Sequence, residues 1–409
     1  MSNTTSFTWA PLVPLIGGFP IGIEEAFGKP PEAIYSYPGI GNDEHYVNYQ
    51  QNTLGRKDID FVTFDPSDTS FIKKINLVVC TPPCAGLSSL NTSKNPLKQG
   101  HTGEQNQAMY NCLLSAIVKF DADVIAIENA PALATKKGVK VADKLRGIAK
   151  EHGYSTVLYK TSTHFHGLPQ RRDRTFAIFF NSKTVPKLQY ENLEFTPFKE
   201  YLSKFENNVI NSETLVNQRL LTMDPYYKFL KHKFGDVRKV LNEAGHVTCL
   251  NFTRKHGYAE EITEWVKEHG TDKDKHVITH ANNKFSQGLG VWDSSVHIFG
   301  EYMNAVIGRN MVDTLHPSED RSLTYLEAMY LMGLPGNFEL LGGRKNMNHI
   351  AQNVSVHSAE FVGRQALLFL NGELEETNYE YVKQDNWNNK IEQRCEVKDP
   401  VSLEEAYGN

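Results

Sequence analysis

The chain has 409 residues, of which 40% are hydrophobic and 22% are charged, as is typical of a globular protein with a large core. No stretch approaches the roughly 18 apolar residues of a membrane span, and no basic region precedes a short apolar one, so we expect neither a membrane protein nor a secretory signal. The net charge of −5 excludes a uniformly basic nucleic-acid-binding protein, so a nucleic-acid surface must come from local clustering of positive charge.

The cysteines are odd in number and widely scattered, which argues against a disulfide framework and predicts a reducing compartment. They are Cys80, Cys84, Cys112, Cys249 and Cys395. Cys80 and Cys84 lack a second close pair of ligands, so we expect no zinc and no other metal site.

The first half of the chain alternates between strand and helix patterns. Short β-branched, apolar runs at 75–80 and 124–127 predict buried strands. Between them, apolar side chains recur at helical spacing from Met109 to Phe120. This alternation predicts an α/β fold with a Rossmann-like, mostly parallel sheet, covered by helices and binding ligands at the carboxyl ends of its strands.

Cys84 directly follows one of these predicted strands. Pro82 and Pro83 intervene, and proline fixes φ and lacks an N–H, so the strand cannot continue. The Cys84 thiol is therefore expected at the carboxyl end of a strand. On this stretch alone, a buried structural cysteine is an equally good interpretation.

Ionisable residues mark the ends of two further predicted strands. Glu128 and Asn129 close the strand at 124–127, and three arginines, Arg171, Arg172 and Arg174, precede the apolar run 175–180. Surface charge is the alternative interpretation of the arginines. Three of them within four residues beside a strand favour a functional site.

The pattern changes at about residue 182, where periodicity weakens and turns become frequent. A basic stretch within the next segment is interleaved with aromatic residues, a combination that suits phosphate contact and base stacking. The basic residues are Lys228, Lys231, His232, Lys233, Arg238 and Lys239. The alternative is a solvated helix face whose apolar side is packed.

Helical patterns return after residue 315, and Arg321 to Thr324 open one of them. Beyond about residue 375 the chain is polar without a clear period, which predicts a tail or a peripheral helix.

In this order and spacing, the motifs resemble those of the DNA (cytosine-5)-methyltransferase family over roughly residues 10 to 370. The proline–cysteine motif of the family falls on Pro83 and Cys84, and its Glu-Asn-Val motif begins at Glu128. Its Gln-Arg-Arg-x-Arg motif spans Gln170 to Arg174, and its Arg-x-Leu-Thr motif spans Arg321 to Thr324.

The resemblance implies four segments. A class I methyltransferase-type catalytic domain occupies 1–181, and a smaller, irregular target-recognition domain occupies 182–315. Helices at 316–374 rejoin the catalytic domain, and 375–409 form the polar tail.

It also implies a chemistry. A Cys84 thiolate adds to C6 of cytosine, which makes C5 reactive toward an electrophilic methyl group. Glu128 donates a proton or a hydrogen bond to N3, which requires a raised pKa. Arg174 binds O2, and Arg172 supports the pocket. The base must be flipped out of double-stranded DNA, the implied partner. We expect a monomer in the cytoplasm, associated with the nucleoid.

The implied cofactor is S-adenosylmethionine, although its pocket is altered. The family's stacking phenylalanine is replaced by Val13 and its first loop glycine by Leu15, and no acidic residue at 40–44 cleanly matches the one that grips the ribose. The lost aromatic ring predicts weaker binding, which Val13→Phe would restore if the pocket has room. The implied cofactor-binding residues are Ile16, Gly17, Gly18, Asp65, Pro83 and Asn353.

Other outcomes remain open on the sequence. The same cysteine addition could serve a different one-carbon donor or deamination of the activated ring. The chain could be a non-catalytic nucleic-acid-binding relative, or an RNA cytosine methyltransferase.

Overall fold

The computed structural model describes residues 7–40, 42–83, 87, 104–205, 224–291, 296–307, 313–386 and 390–399. The chain divides into two compact units. The first comprises Met1–Phe195, Met332–Gly343 and Gln352–Asn409, and the second comprises Thr196–Leu331 and Arg344–Ala351. The first boundary therefore lies at 195/196 rather than at 181/182, and the chain returns to the first unit at Met332 rather than at 316.

A nine-stranded sheet forms the centre of the first unit, in the order β13-β12-β6-β8-β5-β4-β1-β2-β3. The strands in the described chain are β1 (Trp9–Leu12), β2 (Ile34–Ser36), β3 (Phe61–Thr63), β4 (Leu77–Cys80), β5 (Val124–Asn129), β6 (Ser155–Ser162), β7 (Gln170–Arg171), β8 (Asp173–Phe180), β9 (Val185–Pro186), β10 (Met303–Asn304), β11 (Glu376–Thr377), β12 (Glu380–Gln384) and β13 (Ile391–Cys395). The five strands from β3 to β5 in the sheet order pair in parallel, whereas β8 runs antiparallel to both β5 and β6. The predicted Rossmann-like, mostly parallel sheet is confirmed.

Helices cover both faces of this sheet, which explains why β4 and β5 are buried along their whole length. The helices of the first unit are α1 (Gly18–Phe27), α2 (Asp43–Asn48), α3 (Glu104–Val118), α4 (Val139–Glu151) and α13 (Val356–Leu370). Apolar side chains of α3 and α4 pack on one face, and those of α1 and α13 pack on the other.

Two glycines bring α1 and α13 close together. A Cβ on Gly22 would lie 2.2 Å from the carbonyl oxygen of Val356, and one on Gly363 would lie 2.7 Å from the Cβ of Ala26. Only glycine allows backbones to approach this closely.

The prediction of a polar tail after residue 375 is wrong for the residues described there, because β12 and β13 extend the central sheet. β12 pairs in parallel with β6, with Tyr381 opposite Val157, and β13 pairs antiparallel with β12. Alternate residues of β12 are buried, including Lys383, whose ammonium lies 3.4 Å from the centre of the Tyr190 ring. Lysine at one of these buried positions concealed the period of two that marks a strand.

The second unit is more regular than its weak periodicity predicted, because it contains several short capped helices. They are α5 (Phe198–Ser203), α6 (Pro225–Phe234), α7 (Val237–Glu243), α8 (Cys249–Lys255), α9 (Ala259–His269), α10 (Asp272–Ser286) and α11 (Tyr325–Tyr330), and α12 (Asn346–Gln352) follows. Asp224, Asp236, Thr248 and Thr271 each cap the helix that follows them by accepting a backbone N–H. None of the helices in the described part of the chain combines the length and hydropathy of a membrane span.

Candidate active site

The register of β5 against β8 places three predicted catalytic residues on one face of the sheet. Glu128 lies opposite Phe176 in this antiparallel pair. Residues two apart along a strand point to the same face, so Arg174 and Arg172 share the face of Phe176 and therefore of Glu128. Arg171 and Asp173 belong to the other face, and Arg171 is exposed. The strand period alone thus separates the site arginines from Arg171.

Glu128 and Arg174 form a buried ion pair. The Nε of Arg174 lies 2.6 Å from Oε1 of Glu128, and the side chains are 18% and 3% exposed, respectively. Burial raises the pKa of Glu128, while the neighbouring Arg174 and Arg172 act in the opposite direction.

Arg172 is almost fully buried and anchored to the backbone. Its guanidinium donates a hydrogen bond of 2.8 Å to the carbonyl oxygen of Asn353, and the backbone N–H of Arg172 donates one of 3.1 Å to Oγ1 of Thr163. These bonds fix the position of Arg172, and its role in supporting the pocket stays a prediction.

Cys84 lies outside the described residues, so its predicted nucleophilic role stays a prediction. Pro83 is described and half-buried, and the preceding strand β4 pairs with β5, with Cys80 opposite Ile127. The chain thus leaves β4 four residues before Cys84, at the edge of the sheet where Glu128 and Asn129 close β5.

The loop between β1 and α1 is held by backbone bonds and has an unusual conformation. The N–H of Val13 donates to the carbonyl of Tyr35 at 2.9 Å, and that of Gly17 donates to the carbonyl of Pro14 at 3.1 Å. Val13 and Leu15 have φ values of 59° and 51°, in the left-handed region that non-glycine residues rarely adopt. Leu15 thus occupies a position whose backbone conformation suits the family's glycine.

The side chains of Val13 and Ile16 are buried, with 0% and 1% exposure. The condition set for Val13→Phe, that the pocket has room for a larger ring, is therefore not met by this packing. A larger ring at Val13 must displace packed neighbours, which typically costs about 1–3 kcal/mol.

Asp43 is a buried carboxyl group and a candidate site residue that the sequence did not reveal. It is 6% exposed, and it accepts a hydrogen bond of 2.5 Å from the Ser36 hydroxyl. Burial raises its pKa to about 6. An irregular loop separates Asp43 from the end of β2, so the number of residues after the strand did not indicate where Asp43 lies. The buried N-terminus of α2 is the signal that identifies it.

Asp65 is exposed, and its carboxylate accepts bonds of 2.8 Å from the Ser67 N–H and 2.5 Å from the Ser67 hydroxyl. These bonds lower its pKa. Its predicted adenine contact stays a prediction. Beside it, Pro66 helps to line a mainly apolar cavity of about 320 Å³ with Tyr37 and Ile40.

Some of the buried polar atoms without a hydrogen-bond partner in the described chain belong to residues near this carboxyl edge, and others lie elsewhere. Those near the edge include Oδ1 of Asp43, Oγ1 of Thr81, Nδ2 of Asn129 and Nδ2 of Asn353. Buried polar groups are normally satisfied within the protein, so such a group indicates a place that a ligand or solvent completes.

The basic stretch of the second unit is largely neutralised. Lys228 pairs with Asp274 at 2.7 Å, Lys233 pairs with Glu261 at 2.5 Å, and both Lys231 and Arg238 pair with Asp320. The interleaved aromatic residues Tyr226, Tyr227 and Phe229 are buried. The structure favours the packed helix face over a dedicated DNA-binding stretch.

The Arg-x-Leu-Thr motif builds a helix cap within the second unit. Thr324 caps α11 in a capping box with Glu327, and Arg321 binds Glu327 at 2.6 Å and Glu319 at 2.9 Å. In that unit, the motif stabilises the start of a helix.

We expect Gly18→Ala to destabilise the first unit by about 1–3 kcal/mol or more, because the new Cβ would overpack a rigid contact. That Cβ would lie 2.0 Å from the carbonyl oxygen of Val354 and 2.4 Å from Nδ2 of Asn353. Gly290→Ala is the control, since nothing lies within 4 Å of its Cβ. Urea unfolding compares the two, and an unchanged midpoint for Gly18→Ala would contradict this packing.

Comparison with known proteins agrees with this geometry. A family model for the C-5 cytosine-specific DNA methylase matches residues 9–367. The chain belongs to this family. The predicted resemblance to DNA (cytosine-5)-methyltransferases is confirmed.

The curated relatives are more distant. Type II methyltransferase M1.HgaI of Avibacterium volantium is 22% identical over 294 residues, which are 65% of this chain and 71% of that protein. Type II methyltransferase M.Bpa9945I of Bacillus paralicheniformis is 20% identical over 66% of this chain and 65% of that protein. A match of 26% identity to a protein of Oceanobacillus iheyensis spans only 25% of that relative's length.

Two solved structures share the fold of this C-5 cytosine-specific DNA methylase. A prophage-encoded E. coli protein, assigned as a DNA modification methyltransferase, is 16% identical with a TM-score of 0.55, over 90% of this chain and 100% of that one. The methyltransferase EhMeth of Entamoeba histolytica is 14% identical with a TM-score of 0.53, over 89% and 98%. At these identities the likeness establishes the fold alone.

Proposed function

We propose that the protein transfers a methyl group to C5 of cytosine in double-stranded DNA, through a covalent adduct between Cys84 and C6 of a flipped-out base. The observation that carries the proposal is the buried Glu128–Arg174 pair at the carboxyl edge of the sheet. Membership of the C-5 cytosine-specific DNA methylase family supports it.

Glu128 and Arg174 suit one edge of cytosine, because N3 and O2 are neighbouring atoms on that edge. When the base enters, the ion pair opens, so that Arg174 donates to O2. The freed Glu128 carboxylate takes up a proton from solvent and delivers it to N3. The Cys84 thiolate forms a bond to C6, and the π electrons of the C5–C6 bond become available at C5. After C5 has accepted the methyl group, the C5 proton leaves to a base and the N3 proton returns to Glu128. The S–C6 bond then breaks, which restores the ring and the thiolate.

The residues around the first loop fit a nucleoside cofactor. The free oxygen of Asp43 can accept hydrogen bonds from ribose hydroxyls, and the apolar cavity beside Tyr37 and Pro66 suits a flat aromatic base. Ile16, Gly17, Gly18, Asp65, Pro83 and Asn353 remain the predicted contacts. S-adenosylmethionine, when bound, would supply the electrophilic methyl group.

The second unit is the proposed target-recognition domain. Lys199 and Lys239 line a cavity of about 620 Å³ in this unit, and neither lies within 4.0 Å of a carboxylate in the described chain. They are better candidates for phosphate contacts than the paired lysines of α6. We also propose that the protein acts as a monomer in a reducing cytoplasm and associates with the nucleoid, where a DNA substrate would lie.

A second candidate function keeps the cysteine addition but uses another donor, or ends in deamination. The observation that favours it is the first loop, where Leu15 replaces a glycine and Val13 cannot stack on adenine.

Calorimetry with S-adenosylmethionine and S-adenosylhomocysteine, with and without DNA, separates these candidates. Binding in the micromolar range, with 5-methylcytosine in the DNA of expressing cells, is expected. Normal covalent trapping by 5-fluorocytosine DNA without any cofactor binding at millimolar ligand would overturn methyl transfer and favour the second candidate. 5-Methylcytosine only in RNA would overturn the DNA substrate. Neither trapping nor modified nucleosides would indicate a non-catalytic relative.

A further inference from the structure

Asn353 connects the two halves of the proposed site. Its side-chain Oδ1 accepts a hydrogen bond of 2.8 Å from the N–H of Gly18, at the start of α1 behind the first loop. Its backbone carbonyl accepts a hydrogen bond of 2.8 Å from the guanidinium of Arg172. One residue therefore holds both the helix beside the cofactor loop and an arginine whose charge acts on Glu128.

These contacts lie in a rigid, dry environment. Asn353 and Arg172 are each 1% exposed. A Cβ on Gly18 would meet the side chain of Asn353 and the carbonyl of Val354, so the start of α1 has no space in which to shift independently. The Nδ2 of Asn353 has no acceptor in the described chain, so within that chain the Gly18 bond fixes the amide orientation. A displacement of α1 must therefore move the carbonyl that anchors Arg172.

We propose that Asn353 is a positioning residue that couples occupation of the cofactor loop to the affinity of the site for the target base. This inference rests on the proposed function. Ordering of the loop by the cofactor holds Gly18, Gly18 holds Asn353, and Asn353 sets the position of Arg172 beside Glu128. By linkage, a bound base must tighten cofactor binding by the same factor.

The test measures the affinity of the full-length protein for a cytosine-containing duplex, with and without saturating S-adenosylhomocysteine. For the wild-type protein we expect the ligand to tighten duplex binding by a factor within the range of about 5 to 150 that is usual for coupled sites. Asn353→Ser removes the bond to Gly18 but keeps the backbone carbonyl, and should reduce this factor to less than about twofold. Asn353→Asp keeps an acceptor for Gly18 and should retain the coupling.

Asn371→Ser is the matched control, because Asn371 caps the other end of α13 and should leave the coupling unchanged. An undiminished coupling factor in a folded Asn353→Ser variant would overturn this inference while leaving the proposed function intact. Should that variant fail to fold, Arg172→Met decides, since it removes the donor on the other side while keeping an unbranched side chain. It should preserve binding of S-adenosylhomocysteine alone and abolish the coupling, and retained coupling would overturn the inference. A wild-type protein that binds no S-adenosylhomocysteine overturns the proposed function itself.

Discussion

Replacement of Cys84 by serine is expected to abolish product formation and covalent trapping by 5-fluorocytosine DNA. The serine hydroxyl has a far higher pKa than a thiol and is a much weaker nucleophile toward C6. The loss should exceed about a thousandfold, the scale seen when a catalytic nucleophile is removed. Gel-shift detection of the covalent complex and mass spectrometry of nucleosides measure the two effects.

Cys395→Ser serves as the control for a general effect of cysteine removal, because Cys395 is a partly exposed free thiol on β13. It should trap 5-fluorocytosine DNA as the wild-type protein does. Full turnover by the Cys84→Ser variant would remove Cys84 from the mechanism. Cys84 would then be interpreted as a buried structural cysteine.

Glu128→Gln should lower turnover by about 2–4 kcal/mol of transition-state stabilisation, or roughly 30- to 1000-fold, while DNA binding stays nearly unchanged. The amide preserves the shape of the side chain and can donate a hydrogen bond, but it cannot deliver a proton to N3. Burial raises the pKa of Glu128, so its protonated form persists to higher pH than for an exposed glutamate. Wild-type turnover should fall as pH rises through that raised pKa, and the variant should lack this decline.

Glu380→Gln provides a closely matched control within the same sheet. Glu380 on β12 is partly buried, its pKa is also raised by burial, and it pairs with Nε of Arg146 at 3.0 Å. This variant loses an equivalent ion pair without touching the site, so its turnover should match the wild-type value. Equal losses in both variants would show that Glu128 acts through stability. Weakened DNA binding with normal turnover in Glu128→Gln would make Glu128 a structural residue.

The candidate site residues at the ends of β5 and β8 could be predicted, because the residues that identify them are close together in the sequence. A strand places side chains with a period of two, so the spacing of Arg172 and Arg174 already implied a common face. The partnership with Glu128 needed only the pairing of two strands. Conversely, Asp43 could not be found from its distance to β2, because the intervening loop has no repeating geometry that converts spacing into position.

The helices of the second unit and the last strands of the chain could not be predicted from the sequence. Asp224, Asp236, Thr248 and Thr271 are ordinary helix-capping residues, yet helices of 7 to 15 residues offered too few turns for a clear period. β12 was missed because its buried positions include Lys383, which is satisfied by the carbonyl of Leu188 and the ring of Tyr190. Such compensation is a tertiary property that composition does not report.

The packing of α13 against α1 also determines when the first unit can complete its folding during synthesis. The bond between Gly18 and Asn353 spans 335 residues, and α13 extends to Leu370. The ribosome has therefore made most of the chain before the loop after β1 can acquire its final support. We expect nascent chains ending at Gly343 to remain protease-sensitive within α1, whereas chains ending after Cys395 resist cleavage there; equal resistance would show that α1 docks without α13.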